Sequence, residues 1–174
     1  QEFIAGVPLL SYVASVRTPK DIERLFFQLC EGLTYVHRQG VCHLDVKPEN
    51  ILITTDTQQP KLIDFGSAKR QDTGRTVALI TPAFSAVEQY SADAEHGPYT
   101  DIYALATTFY AALTGENPPD APTRVLDDKC PKMIDQKGFA SFSGRFLNCI
   151  DLGMRVLPSE RPDTVEDWLL DADK

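Results

Sequence analysis

The chain has 174 residues, 17 Lys+Arg against 25 Asp+Glu for a formal net charge of −8, and 43% hydrophobic residues, which is the profile of one ordinary domain able to bury a real core. Such an acidic balance excludes the Lys/Arg surplus that duplex DNA or an anionic membrane surface would demand. Four cysteines without a C-x-x-C pair argue against a disulfide framework and a zinc site, so a reducing compartment is expected.

The chain opens at Gln1 without a Met and is at once apolar, as if cut from something longer. From Thr18 the residues Ile22, Leu25, Phe26, Leu29, Cys30, Leu33 and Val36 step by three and four, predicting an amphipathic helix capped by Thr18, entered through Pro19 and stopped at Gly40. Two short apolar runs, Ile51 to Ile53 and Lys61 to Ile63, flank the polar stretch Thr54 to Pro60 and predict a hairpin. Asp64 to Glu88 loses all periodicity, and irregular connections of that length tend to be functional. Thr100 to Thr114 is apolar nearly all round, which predicts a central buried helix ending at Gly115, and its most apolar part, Tyr103 to Leu113, is too short to cross a bilayer. Phe142 to Leu157 and Thr164 to Leu170 read as further helices, broken by the turn at Pro158 to Pro162. No repeat, low-complexity tract or leader is apparent. The fold class expected is mainly α, with one small β-hairpin beside a long polar loop.

The chemistry concentrates in His43-Leu44-Asp45-Val46-Lys47-Pro48-Glu49-Asn50, between a helix end and a strand that can hold it rigidly on both sides. Asp45, Lys47 and Asn50 offer an acceptor, a fixed cation and a neutral oxygen ligand in one short loop. Asp64-Phe65-Gly66 follows the second short strand, so the hairpin folds Asp64 back beside that loop. Asn50 with Asp64 makes an oxygen pair suited to Mg²⁺, which takes few protein ligands and fills the rest with water and phosphate.

HLDVKPEN, then IDFG, then TPAFSAVE, in this order and spacing, resemble the catalytic, metal and substrate loops of the eukaryotic-type (Hanks-type) Ser/Thr protein kinases. Asp101 in DIYAL and Arg161-Pro162 also fall where that family has them, and the wording is most similar to bacterial members. The resemblance implies a kinase C-terminal lobe over 1–174, a helical domain whose β-hairpin carries the catalytic and metal loops. Residues 1–7 would be the hinge segment, 43–50 the catalytic loop and 64–88 the metal, activation and substrate loops. The N-terminal lobe would belong to the parent chain and pack against this one. The implied reaction moves the γ-phosphoryl of ATP, with Mg²⁺, to Ser/Thr hydroxyls of a protein substrate.

Carried over residue by residue, Asp45 would orient the substrate hydroxyl and Lys47 would neutralise the transferring phosphoryl. Asn50 and Asp64 would hold Mg²⁺, and Thr81 would tie the substrate loop to Asp45 and Lys47. The backbone of Glu2 and Ile4 would bond adenine above Leu52. His43 and Phe65 would stack in an apolar column, Glu88 and Arg161 would form a buried ion pair, and Asp101 would be structural. No nucleic-acid or membrane contact is expected from this segment, and the expected location is the cytoplasm or the cytoplasmic domain of an anchored protein.

Four positions depart from the family pattern. Leu44 replaces an Arg that grips an activation-loop phosphate, which lowers the expectation of control through Thr73 or Thr76. Val87 replaces a Pro, Ala106 a Gly, and Pro8 a polar ribose-binding residue. The chain also has no G-x-G-x-x-G and no strand Lys ahead of it, so alone it should not be an efficient kinase. Two alternatives stay open: a pseudokinase or binding module that presents Asp72 to Ser91 to a partner, and a small-molecule phosphotransferase. Lys47-Pro48-Glu49 and TPAFSAVE count against the latter. Cys30 and Cys149 read as core residues, the pair Asp127-Asp128 as solvated charge, and His37 and His96 receive no functional role.

Overall fold

A computed structural model describes residues 5–15, 18–70 and 80–174 of the chain. In chain order the elements are β1 (Gly6–Pro8), α1 (Leu9–Ser15), α2 (Pro19–Arg38), β2 (Val41–Cys42), β3 (Ile51–Thr54), β4 (Pro60–Leu62), β5 (Lys69–Arg70), α3 (Pro98–Thr114), α4 (Ala121–Leu126), α5 (Gly144–Gly153) and α6 (Val165–Asp171). Helix dominates, in line with the expected mainly-α class.

Helix α2 begins where its capping chemistry dictates: the Thr18 hydroxyl accepts from the Asp21 N–H at 3.3 Å, and Pro19 occupies the first turn. Its stop is Gly40 at φ +71, a conformation that costs glycine little. The periodic residues Ile22, Leu25, Phe26, Leu29, Cys30 and Leu33 are all buried. Helix α3 is buried over almost its whole length, from Thr100 to Ala111, as its all-round apolar pattern requires. Phe26 sits at the centre of the core, edge-on to Phe109, Phe146 and Trp168 at 5.1, 5.2 and 5.3 Å between ring centroids. Trp168 places its indole N–H on the Cys149 carbonyl at 2.8 Å, so α6 is pinned to α5 by a satisfied polar contact as well as by packing. Helices α3 and α5 pack tightly at Gly153, where an added Cβ would lie 2.7 Å from the Ala106 Cβ. No helix among the described residues is long and apolar enough to cross a membrane.

The predicted hairpin is present as β3 and β4, with Ile51 opposite Leu62 and Ile53 opposite Pro60. It belongs to a three-stranded antiparallel sheet with β3 at the centre, because β1 adds on the other side of β3 with Val7 opposite Ile53 and Pro8 opposite Leu52. Residues expected to form the end of a hinge segment are therefore a strand. Strand β4 starts at Pro60 rather than Lys61, which proline tolerates on an edge strand. The described parts of the 64–88 connection hold more regular structure than its lack of periodicity suggests: Phe65–Ser67 is a 3-10 turn, Val87 opens another that runs to Tyr90, and Lys69–Arg70 pairs with Val41–Cys42. Helix α5 spans less than the predicted Phe142 to Leu157, starting after the Ser143 hydroxyl caps it through the Phe146 N–H. Asp128 is exposed, as expected of a solvated charge, and it also grips the buried Arg124 with two hydrogen bonds of 3.0 and 2.9 Å.

Candidate active site

The loop after β2 is held from below by one side chain. Asp101, fully buried in the first turn of α3, accepts from the His43 N–H and the Leu44 N–H, both at 2.8 Å, and its Oδ2 lies 2.7 Å from His37 Nε2. Two backbone donors and an imidazole stabilise the carboxylate where water is excluded. The Sγ of Cys42 lies within 4.8 Å of the His37 and Asp101 ligand atoms. Both Asp101 oxygens are already engaged by backbone donors, so this trio acts as an anchor for the loop rather than as an open metal cage. His37, given no role from the sequence, is thus part of the support. Only a contact across 64 residues reveals it.

Above that anchor the side chains of Asp45, Lys47, Asn50 and Thr81 converge. Lys47 Nζ lies 2.9 Å from Asp45 Oδ1 and 2.8 Å from Oδ2. The Thr81 hydroxyl donates to Asp45 Oδ1 at 3.3 Å and stands 3.4 Å from Lys47 Nζ. Asn50 turns its amide N–H₂ inward, donating to the Asp45 carbonyl at 2.8 Å and to Asp45 Oδ2 at 3.0 Å. Since both amide protons are spent on Asp45, the Asn50 Oδ1 is left as the acceptor. The Asp45 carboxylate is 7% exposed and Lys47 17%, so the pair is sheltered but reachable.

The hairpin register brings Asp64 next to this cluster. The ladder continues beyond β4 with the Ile63 N–H bonding the Asn50 carbonyl at 2.8 Å, which sets Asp64 one residue past Asn50's partner. Asp64 is exposed, adopts a left-handed φ of +58, and accepts the Gly66 N–H on Oδ1 at 3.1 Å, leaving Oδ2 uncommitted by that bond. An Asn50 amide oxygen and an Asp64 carboxylate are hard oxygen donors, a set that fits Mg²⁺ and not a thiophilic metal. His43 Nε2 donates to the Ile63 carbonyl at 3.0 Å while its Nδ1 accepts from the Asp45 N–H at 3.3 Å. The ring meets Phe65 edge-on at 4.6 Å, so the two residues expected to stack do lie together. Leu52 is half-buried on the sheet face opposite the fully buried Ile51 and Ile53.

The segment entering α3 is clamped by a second buried network. Arg161, with no exposed side-chain surface, reaches Glu88 Oε2 at 2.5 Å and the Tyr99 carbonyl at 2.7 Å. The Thr100 hydroxyl donates to the other Glu88 oxygen at 2.9 Å. Arg161 also lies over the Tyr103 ring at 5.2 Å, and Arg124 lies over the same ring at 5.9 Å while donating to the Tyr103 hydroxyl. Burial holds the Tyr103 phenol above its ordinary range, an effect that the Arg124 and Arg161 guanidinium groups offset only in part. The Glu88–Arg161 contact was foreseeable from the sequence only through family likeness; Thr100, Tyr103 and Arg124 carried no signal there.

Glu2 and Ile4, expected at adenine, and Thr73 and Thr76 lie outside the described residues.

The family model described as "Protein kinase domain" matches residues 1–165. Among curated proteins, "Maternal embryonic leucine zipper kinase" of Danio rerio is 37% identical over 135 residues, covering 74% of this chain and 19% of that protein. "Serine/threonine-protein kinase PknB" of Mycobacterium tuberculosis is 32% identical over 154 residues, with 80% of this chain and 24% of that protein covered. "Serine/threonine-protein kinase chk-2" of Caenorhabditis elegans is 30% identical, with 84% of this chain and 33% of that protein covered. A solved structure titled "PpkA-294 apo form" superposes with a TM-score of 0.79 at 26% identity, over 99% of this chain and 62% of that one. The chain thus spans between 19% and 33% of the length of these curated relatives.

Proposed function

The chain belongs to the protein kinase family, and from that membership we propose that it is the catalytic C-terminal lobe of a Ser/Thr protein kinase, transferring the γ-phosphoryl of ATP to Ser/Thr hydroxyls of protein substrates. The observation that carries this reading is the Asp45 carboxylate held at once by Lys47, Asn50 and Thr81, one hairpin turn from the open Asp64. Phosphoryl transfer through a loose transition state asks the protein mainly for positioning and charge neutralisation.

In this reading Asp45 accepts a hydrogen bond from the incoming hydroxyl and so fixes its line of attack. Lys47, already beside Asp45, offers its remaining protons to the phosphoryl oxygens as negative charge shifts there. Thr81 ties the substrate segment to the same two groups, favouring an extended peptide whose short Ser/Thr hydroxyl reaches Asp45 over a longer Tyr. Asn50 Oδ1 and the Asp64 carboxylate would hold Mg²⁺, which when bound neutralises phosphate charge. Leu52 would lie under the adenine with the backbone of Glu2 and Ile4 beside it. The residues that cover and position the triphosphate would come from an N-terminal lobe elsewhere in the full-length protein. The location that goes with this reading is the cytoplasm, or the cytoplasmic domain of a membrane-anchored protein, where ATP is supplied.

The test is phosphoryl transfer from labelled Mg·ATP to a Ser/Thr peptide library by the full-length protein. Asp45→Asn and Asp64→Asn should each lower turnover by about 10²–10⁴-fold at an unchanged melting temperature. Wild-type rates in either variant would overturn the assignment, and a folded wild type without turnover would point to the binding-module alternative.

A further inference from the structure

Leu44 is held in a backbone conformation that leucine avoids when free. Its φ is +63, its side chain is buried, and both of its peptide groups are tied to side chains from other parts of the fold. The N–H is bound by Asp101 on α3 at 2.8 Å, and the carbonyl accepts from Gln89 Nε2 at 2.9 Å. A left-handed leucine persists only when its surroundings enforce it. Gln89 is itself 5% exposed, and its Oε1 accepts from the Ala86 N–H at 2.9 Å. A carbonyl can only accept and an N–H only donate, so one amide orientation alone satisfies both contacts. The neighbouring Glu88 is fastened by Arg161 and Thr100, so the turn carrying Gln89 cannot drift.

Leu44 immediately precedes Asp45. Its side chain has no charge by which another segment could grip it, so the link to the 80–90 segment runs through its carbonyl. We infer that Gln89 is a positioning residue for Asp45: its bond to the Leu44 carbonyl locks the left-handed turn that aims the Asp45 carboxylate, and it couples the substrate-side segment to the catalytic loop. This inference rests on the kinase reading for its catalytic consequence but not for the mechanical link. Releasing the Leu44 carbonyl lets that peptide unit rotate and carries Asp45 away from Thr81 and Asn50.

Two substitutions separate this role from simple capping of the Val87–Tyr90 turn. Gln89→Glu keeps an oxygen for the Ala86 N–H and removes the donor to Leu44, whereas Gln89→Met fills the same space and removes both bonds. In the full-length protein, both should lower kcat by about tenfold to a hundredfold with KM for ATP within about twofold of wild type, the signature of a misplaced group rather than lost binding. Deuterium uptake by the peptide spanning 41–47 should rise in both, with uptake across α2 unchanged. A role limited to capping spares the Glu variant in both measurements and overturns the inference, as does a kcat within twofold of wild type or an unchanged 41–47 uptake in either folded variant. Should wild type show no turnover, the kinase reading fails by itself; the uptake comparison then decides the link, a rise upholding it and no change overturning it. If the Glu variant does not fold, Gln89→Met decides by where uptake changes: a rise across 41–47 with none across 85–91 upholds the inference, and a rise confined to 85–91, or wild-type kcat, overturns it.

Discussion

Replacing Arg161 by Met removes a guanidinium with no exposed surface while keeping much of its apolar length, and leaves the Glu88 carboxylate 3% exposed without its cation. Breaking one side of a buried ion pair in this way costs about 3–5 kcal/mol, because the surviving charge stays desolvated. Thr100 still donates to Glu88 at 2.9 Å, which softens the loss, whereas the Tyr99 carbonyl loses its 2.7 Å partner, which deepens it. The converse change, Glu88→Gln, should cost less, about 2–3 kcal/mol, since Arg161 keeps the Tyr99 carbonyl and the ring faces of Tyr99 and Tyr103 at 5.7 and 5.2 Å. The double variant removes both charges and should be more stable than the sum of the singles implies by about 2 kcal/mol or more. Urea unfolding of the full-length protein, followed by circular dichroism, measures all three. Since whole-domain stabilities are only about 5–15 kcal/mol, the Arg161→Met effect should be plain in the midpoint. An Arg161→Met variant within about 1 kcal/mol of wild type, or strictly additive single costs, would show that the pair is not the clamp described here.

Gly153→Ala should destabilise despite improving helix propensity, because the new Cβ would sit 2.7 Å from the Ala106 Cβ and 2.8 Å from Trp168 Cζ2 in a closed core. Overpacking of about 1–3 kcal/mol outweighs a propensity gain of under about 1 kcal/mol, so a melting temperature several degrees lower is expected, and an unchanged or higher one would refute the close α3–α5 approach. Burial pushes the Cys149 thiol up to about 12 and raises Cys30 well above its usual range. At about pH 8 only about one Cys149 thiol in ten thousand is then ionised, so iodoacetamide should label neither cysteine in the native protein and both in denaturant. Native labelling at either position, read by peptide mass spectrometry, would contradict their place in the core.

Much of the candidate site is legible in the linear sequence because its parts are local. His43 to Asn50 is one loop, and a short antiparallel hairpin joins it to Asp64, so residue types and spacing already imply an acceptor, a cation and two oxygen ligands in one place. The capped start of α2 and the all-round apolar pattern of α3 are legible for the same reason, since capping and periodicity act within a few residues. The three-residue β1 and two-residue β5 were not, because strands that short carry no alternation to read.

Contacts across long stretches of chain were beyond reach. His37 and Asp101 are 64 residues apart, Gln89 and the Leu44 carbonyl 45, and Arg124 and the Tyr103 hydroxyl 21. Nothing in the local pattern marks His37 as a support, Asp128 as the partner of a buried arginine, or Leu44 as left-handed. These follow from how α2, α3 and the 80–90 segment close on one another. By itself the sequence determined which functional groups are present and which neighbours they keep, because short-range backbone geometry obeys spacing. Only the tertiary structure decided what holds those groups in place, because a buried carboxylate or amide takes the partner that packing brings within about 3 Å, however far away that partner lies in the chain.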